Sequence, residues 1–177
     1  PARPILKREW DAGRAPAGLG RCERAVLYRL RQMTEADFAA LPDCSEGLEH
    51  RLYRAAQQAV SLDQFYELAK TKRYAHARIR RLALWSFLGL TAQDRPSVPP
   101  FYRVLGMGSR GQLPLHNFVR SCPIPVITKP ASAKELSGEA GRLFALEARA
   151  ADLWQLCLPV PGPCGSVWTQ SPVILKG

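Results

Sequence analysis

Apolar positions along the first ninety residues recur at three- and four-residue intervals, the spacing of a helix with one buried face. Ala25, Val26, Leu30 and Met33 share such a face, with Arg24, Arg29 and Arg31 around it. Thr34 is placed to cap the next segment with Asp37 three residues on, and Pro42 stops it. From Asp43 a stronger stripe follows, Leu48, Leu52, Ala55, Ala56 and Ala59, with Asp43 and Glu46 spaced as a capping box. Ser61 caps a further helix through Leu62, Phe65, Tyr66 and Leu68. The pattern then predicts one long helix from about Lys70 to Gly89. Residues 1–20, with Pro and Gly at close intervals, read as an irregular lead-in with at most one helical turn.

After the prolines at 96, 99 and 100 the period changes. "FYRVLGMG" has the aromatic and β-branched content of a strand, "QLPLHNFVRSC" of a short helix and "IPVITKP" of a second strand. Strand, helix and strand in that order predict a parallel pair. Ser137 to Cys157 returns to helical spacing, with Trp154 on its apolar side, and the Pro- and Gly-rich tail is expected to wrap the surface. The expected class is α+β, predominantly α-helical, with a small two-stranded parallel β element around residues 101–129.

Charge changes this picture. The 177 residues carry a formal +10. Between Leu68 and Lys134, twelve lysines and arginines stand against one acid, Asp94, so the whole excess sits in that segment. Such concentration points to a polyanionic partner. The densest part is "KTKRYAHARIRR", residues 70–81. On a helical wheel Ile79, Leu82, Ala83 and Ser86 face inward, and Arg73, Tyr74, Arg78, Arg80 and Arg81 fill the opposite arc. No acid lies within the stretch to neutralise them, so compensation is expected from phosphates outside the protein. Arginine does not serve as a base, and His76 has no acid beside it in sequence, which argues against catalysis there.

Three stretches carry a resemblance: "SEGLEHRL" (45–52), "LAKTKRYAHARIRRL" (68–82) and "FYRVLGMGSRGQLPL" (101–115). In this order and at these separations they resemble the carboxy-terminal region of the bacterial tRNA(Met) cytidine acetate ligase family, from about Val26 to Ala131. That family activates acetate with ATP as acetyl-adenylate and acetylates N4 of the wobble cytidine of elongator tRNA(Met). Its nucleotide site lies in an amino-terminal nucleotidyltransferase domain with an HxGH motif. The histidines here, His50, His76 and His116, are far apart and form no such motif. The resemblance therefore implies a tRNA-binding carboxy-terminal domain over residues 21–177, with residues 1–20 left from a missing catalytic domain. It implies no catalytic residue and no cofactor in this chain, ATP belonging to the missing domain; the scattered cysteines, with no His near Cys157 and Cys164, predict no metal site. The implied partners are tRNA and that domain, in the cytoplasm. The motif maps to Lys70, Lys72, Arg73, Tyr74, Arg78 and Arg81; His76, Arg80 and Arg110 join them as candidate RNA contacts, with Tyr74 or His76 placed to stack on a base.

Two rival readings stay open: a basic module that docks an acidic protein, and a free-standing enzyme that binds nucleotide at "GMGSRG", Gly106–Gly111. The latter satisfies GxGxxG after an expected strand, but Pro114 falls at the helix start and no acid follows some twenty residues on. The five cysteines show no CxxC pair and fit a reduced setting. Trp168 is expected to cover core more than to stack on a base.

Overall fold

The computed structural model describes residues 2–175. The chain forms two compact units, one of residues 1–95 and 153–162, the other of residues 96–152 and 163–177. A lead-in followed by one body from residue 21 does not anticipate this division.

The first unit is helical. Its elements are α1 (Ala2–Asp11), α2 (Glu23–Gln32), α3 (Glu35–Ala39), α4 (Leu48–Gln58), α5 (Leu62–Ala69) and α6 (His76–Leu88). The stripes read from sequence make its core: Val26, Leu30, Phe38, Leu48, Leu52, Phe65, Ile79 and Leu82 are all but fully buried. Local signals set several boundaries as expected. The Thr34 hydroxyl accepts from Asp37 N–H at 3.2 Å while the Asp37 carboxylate accepts from Thr34 N–H at 2.8 Å, closing a capping box. Ser61 Oγ accepts from Gln64 N–H at 3.1 Å at the start of α5. Gly89, at φ 72, ends α6 in the left-handed conformation that suits glycine.

Three expectations change. Residues 2–11 are a ten-residue helix, not an irregular stretch. Asp43 and Glu46 do not cap α4, whose N-cap is Gly47 at φ 80 with no side-chain cap bond. Both acids lie in a turn at positive φ, 58 and 66, and their carboxylates pair with arginines, Glu46 with Arg73 and Asp43 with Arg81. The long helix from Lys70 is broken: α5 ends at Ala69, α6 begins at His76, and Lys70 to Ala75 form a turn.

The second unit contains β1 (Tyr102–Arg103), β2 (Gly106–Gly108), α7 (Gln112–Ser121), β3 (Val126–Ile127), most of α8 (Gly138–Gln155), α9 (Ser166–Thr169) and β4 (Val173–Leu175). β1 and β3 are parallel, pairing Tyr102 with Val126 and Arg103 with Ile127, as the strand–helix–strand order predicts. The tail does more than wrap: β4 pairs in parallel with β2, Gly106 opposite Val173. The core here is small, Ile127, Ala133, Phe144, Ala148 and Val167. Phe144 meets Phe101 and Trp168 edge to face, so Trp168 covers core. Trp154, expected to be buried, is 39% exposed. Arg103 pairs with Glu147 and lies over the Phe144 ring, while Tyr102 points outward against Phe118. Among the described residues no helix is long and apolar enough to cross a membrane.

Candidate nucleic-acid interface

The Lys70–Ala75 turn exists because side chains outbid the helix for its backbone. Thr71 Oγ1 accepts from the N–H groups of Arg73 and Tyr74, both at 3.1 Å, a local bond that favours a turn over helix. Arg51 of α4 donates to the carbonyls of Ala69 at 2.8 Å and Lys70 at 3.1 Å, holding the exit of α5. Tyr74 pins the other side. Its ring is buried and its hydroxyl donates to the Glu46 carbonyl at 2.6 Å.

The arginines of the stretch are not left to solvent. Arg73 pairs with the Glu46 carboxylate at 2.9 Å. Arg78 donates to the Asp43 carbonyl at 2.9 and 2.7 Å, and Arg81 pairs with the Asp43 carboxylate at 2.7 Å. The acids that the stretch lacks come from the 43–46 turn, which tertiary packing brings alongside. This corrects the expectation that phosphates alone compensate the arginines. The guanidiniums of Arg73 and Arg78 also stack on either part of the Tyr74 ring, 5.8 and 5.7 Å from its centroid.

Tyr74 is therefore an anchor, not an exposed ring waiting for a base. His76 is half-buried and stands edge-on to Tyr66 at 5.5 Å. Arg80 lies over the Tyr66 ring and Arg81 over Trp85. Among the described residues Lys72 forms no ion pair, Arg80 meets no carboxylate, and Lys70 meets only Glu67 at 3.9 Å. Three cations, Arg73, Arg78 and Arg81, thus meet the two carboxylates of the 43–46 turn, Lys70 meets Glu67, and Lys72 and Arg80 are left without a carboxylate. Arg110 belongs to the other unit, where it is exposed. The residues that sequence reasoning overlooked are Arg51, Thr71, Asp43 and Glu46. Only Thr71, a hydroxyl two residues before Arg73, carried a local turn signal.

The glycine stretch does not form a phosphate cradle. Gly106 to Gly108 form β2, a 3-10 turn at Ser109–Gly111 leads into α7, and a Cβ on Gly106 would meet the Val173 carbonyl at 2.9 Å. Sheet pairing accounts for that glycine. A Cβ on Gly111 would meet the Met107 Cβ at 3.2 Å. These residues do not fit a dinucleotide site.

The signature of the family described as HIGH Nucleotidyl Transferase matches residues 2–163. The chain belongs to that family. Among its relatives, a tRNA(Met) cytidine acetate ligase of Acetivibrio thermocellus is 30% identical over 97% of this chain and 43% of its own length. Another with that name, from Clostridium kluyveri, is 43% identical over 54% of this chain and 25% of its own. The fold is similar to that of Thermotoga maritima TmcAL bound with alpha-thio ATP, with a TM-score of 0.88 and 26% identity over 98% of this chain and 45% of that one. The chain spans less than half the length of these relatives. The match takes in residues 2–20 and continues to 163, beyond both ends of the resemblance seen in sequence. A family defined by nucleotidyl transfer, with a member solved on an ATP analogue, lends no support to the expectation that this chain is free of nucleotide.

Proposed function

We propose that this chain supplies the tRNA-docking part of a tRNA(Met) cytidine acetate ligase, as the carboxy-terminal portion of a longer enzyme. The observation that carries the reading is the cation surplus of the anchored 70–81 segment. Lys72 and Arg80 have no close carboxylate and Lys70 has only Glu67 at 3.9 Å, while Arg73, Arg78 and Arg81 are pre-arranged by Asp43 and Glu46 and able to share themselves with phosphate oxygens. The names of the relatives favour tRNA(Met) as the polyanion. The lack of an HxGH motif and the partial coverage favour adenylation by another part of the enzyme.

The test is tRNA binding against salt. Four to six neutralised phosphates give a log–log slope of about −3 to −5. Replacing Lys70, Lys72 and Arg80 together by Ala is expected to remove about half of that slope with no change in far-UV circular dichroism, since all three residues are exposed. An unchanged slope sinks the docking surface. Weak tRNA binding with tight binding of an acidic protein would favour the rival reading instead. Titration with ATP in the same preparation reports separately whether this portion holds nucleotide.

A further inference from the structure

Two thiols far apart in sequence meet inside the first unit. Cys22 caps the start of α2, and Cys157 follows the end of α8; their sulfurs are 2.9 Å apart. Cys157 is fully buried and Cys22 is 8% exposed. The approach is held by the backbone on both sides. Gly18 N–H donates to the Cys157 carbonyl at 2.9 Å, and Val160 N–H donates to the Gly13 carbonyl at 3.2 Å. Gly13, at φ 70, permits this contact, since a Cβ there would meet Val160 Cγ2 at 2.5 Å. Residues 13–22 and 157–160 thus run side by side in fixed register, and the sulfurs need only a small approach to reach the bonded distance of about 2.05 Å.

We propose that Cys22 and Cys157 are a redox modification site, forming a reversible disulfide that fastens residues 153–162 to the helical core of the first unit. The oxidant is a peroxide. The Cys22 sulfur, the more accessible, attacks one peroxide oxygen; the O–O bond breaks, hydroxide leaves and is protonated to water, and Cys22 becomes a sulfenic acid. The Cys157 sulfur then attacks the Cys22 sulfur. The S–S bond forms, the S–O bond breaks, and the departing hydroxide takes the Cys157 proton as a second water. Two thiols lose two electrons and one hydrogen peroxide gains them. Thiol–disulfide exchange with a small dithiol reverses the step. Burial pushes the Cys157 thiol up, so formation and reversal are both slow, and the site responds to sustained oxidant.

The other three cysteines are set apart from this pair. Cys44 and Cys122 are half-buried and Cys164 is exposed, and none lies at sulfur contact with another cysteine among the described residues. The experiment uses the chain with Cys44, Cys122 and Cys164 changed to Ser, treated with hydrogen peroxide. The expected product has lost two hydrogens by intact mass, shows no alkylatable thiol after denaturation, and yields a Cys22–Cys157 cross-linked peptide. Because the bond closes a long loop, Tm is expected to rise by about 10 °C and to return on adding dithiothreitol. Two thiols still alkylatable after peroxide, or a sulfinic acid at Cys22 beside a free Cys157, would overturn the proposal. A cross-link that leaves Tm unchanged would overturn its fastening role.

Discussion

The two units of this chain solve the same problem with unequal means. In the first, twenty-two buried residues from the five helices α2 to α6, their connections and the 153–162 segment form one cluster. In the second, the corresponding cluster has five members, and Leu105, Leu113, Val173, Ile174 and Leu175 are each more than half exposed. The first unit's stability therefore comes from apolar burial distributed over many helices, where no single side chain is decisive. The second leans on Phe144 and on two parallel strand pairs of two or three residues, a kind of sheet that is marginal without packing. The basic segment that carries the proposed function is mounted on the well-packed unit, where Arg51 and Tyr74 can hold it still.

The largest effect expected from this contrast is at Phe144. Its replacement by Ala removes the centre of the small core and costs about 3–5 kcal/mol. Hydrogen exchange should then show loss of protection at the Tyr102 and Val104 amides, which bond to Pro125 and Ile127, while α2, α4 and α5 keep theirs. Equal loss in α4 would mean that the units unfold together, and the comparison would fail. A milder change sharpens the other side. Tyr74→Phe removes the hydroxyl bond to the Glu46 carbonyl and is expected to cost about 1 kcal/mol, read as a lower urea midpoint. It should also loosen the 43–47 turn and weaken tRNA binding less than the triple change at Lys70, Lys72 and Arg80. A larger binding loss at Tyr74 would show that anchoring outweighs those three exposed cations.

The smallest effect concerns pH at the edge of the first unit. Asp37 is held below its ordinary 3.8 because it accepts from the Thr34 backbone N–H and hydroxyl. A carboxyl lowered in the folded state contributes fully above the unfolded value and loses that contribution as pH falls through its folded value. Fraying of α3 should therefore appear below about pH 4 and be worth under about 1 kcal/mol, since the cap is exposed. Asp37→Asn is expected to flatten this dependence. Helical signal from α3 that does not change down to pH 2.5 (roughly the lower end of the carboxylate range) would show that the capping box contributes little.

Much of the first unit was legible in sequence because its signals are local. The stripe Leu48, Leu52, Ala55, Ala56, Ala59 reports one helical face by spacing alone, and Thr34, Ser61 and Gly89 mark boundaries by the chemistry of their own side chains or the lack of one. The parallel pairing of β1 with β3 followed from element order. The break at residues 70–75 was not legible in the same way. Helical spacing continues across it, and only the bonds from Thr71, Arg51 and Tyr74 make a turn the better state.

By itself, then, the sequence determined the helical stripes, several caps and the place where positive charge accumulates, all properties of residues within one or two turns of each other. The tertiary structure alone decided which acids meet the arginines, that β4 returns to β2, and that Cys22 touches Cys157. The reason is common to all three. A helix or a cap is stabilised by neighbours that any short window contains, whereas a contact across dozens of residues has no local energy to announce it and forms only when the packing of whole elements has already paid the entropy of bringing its ends together.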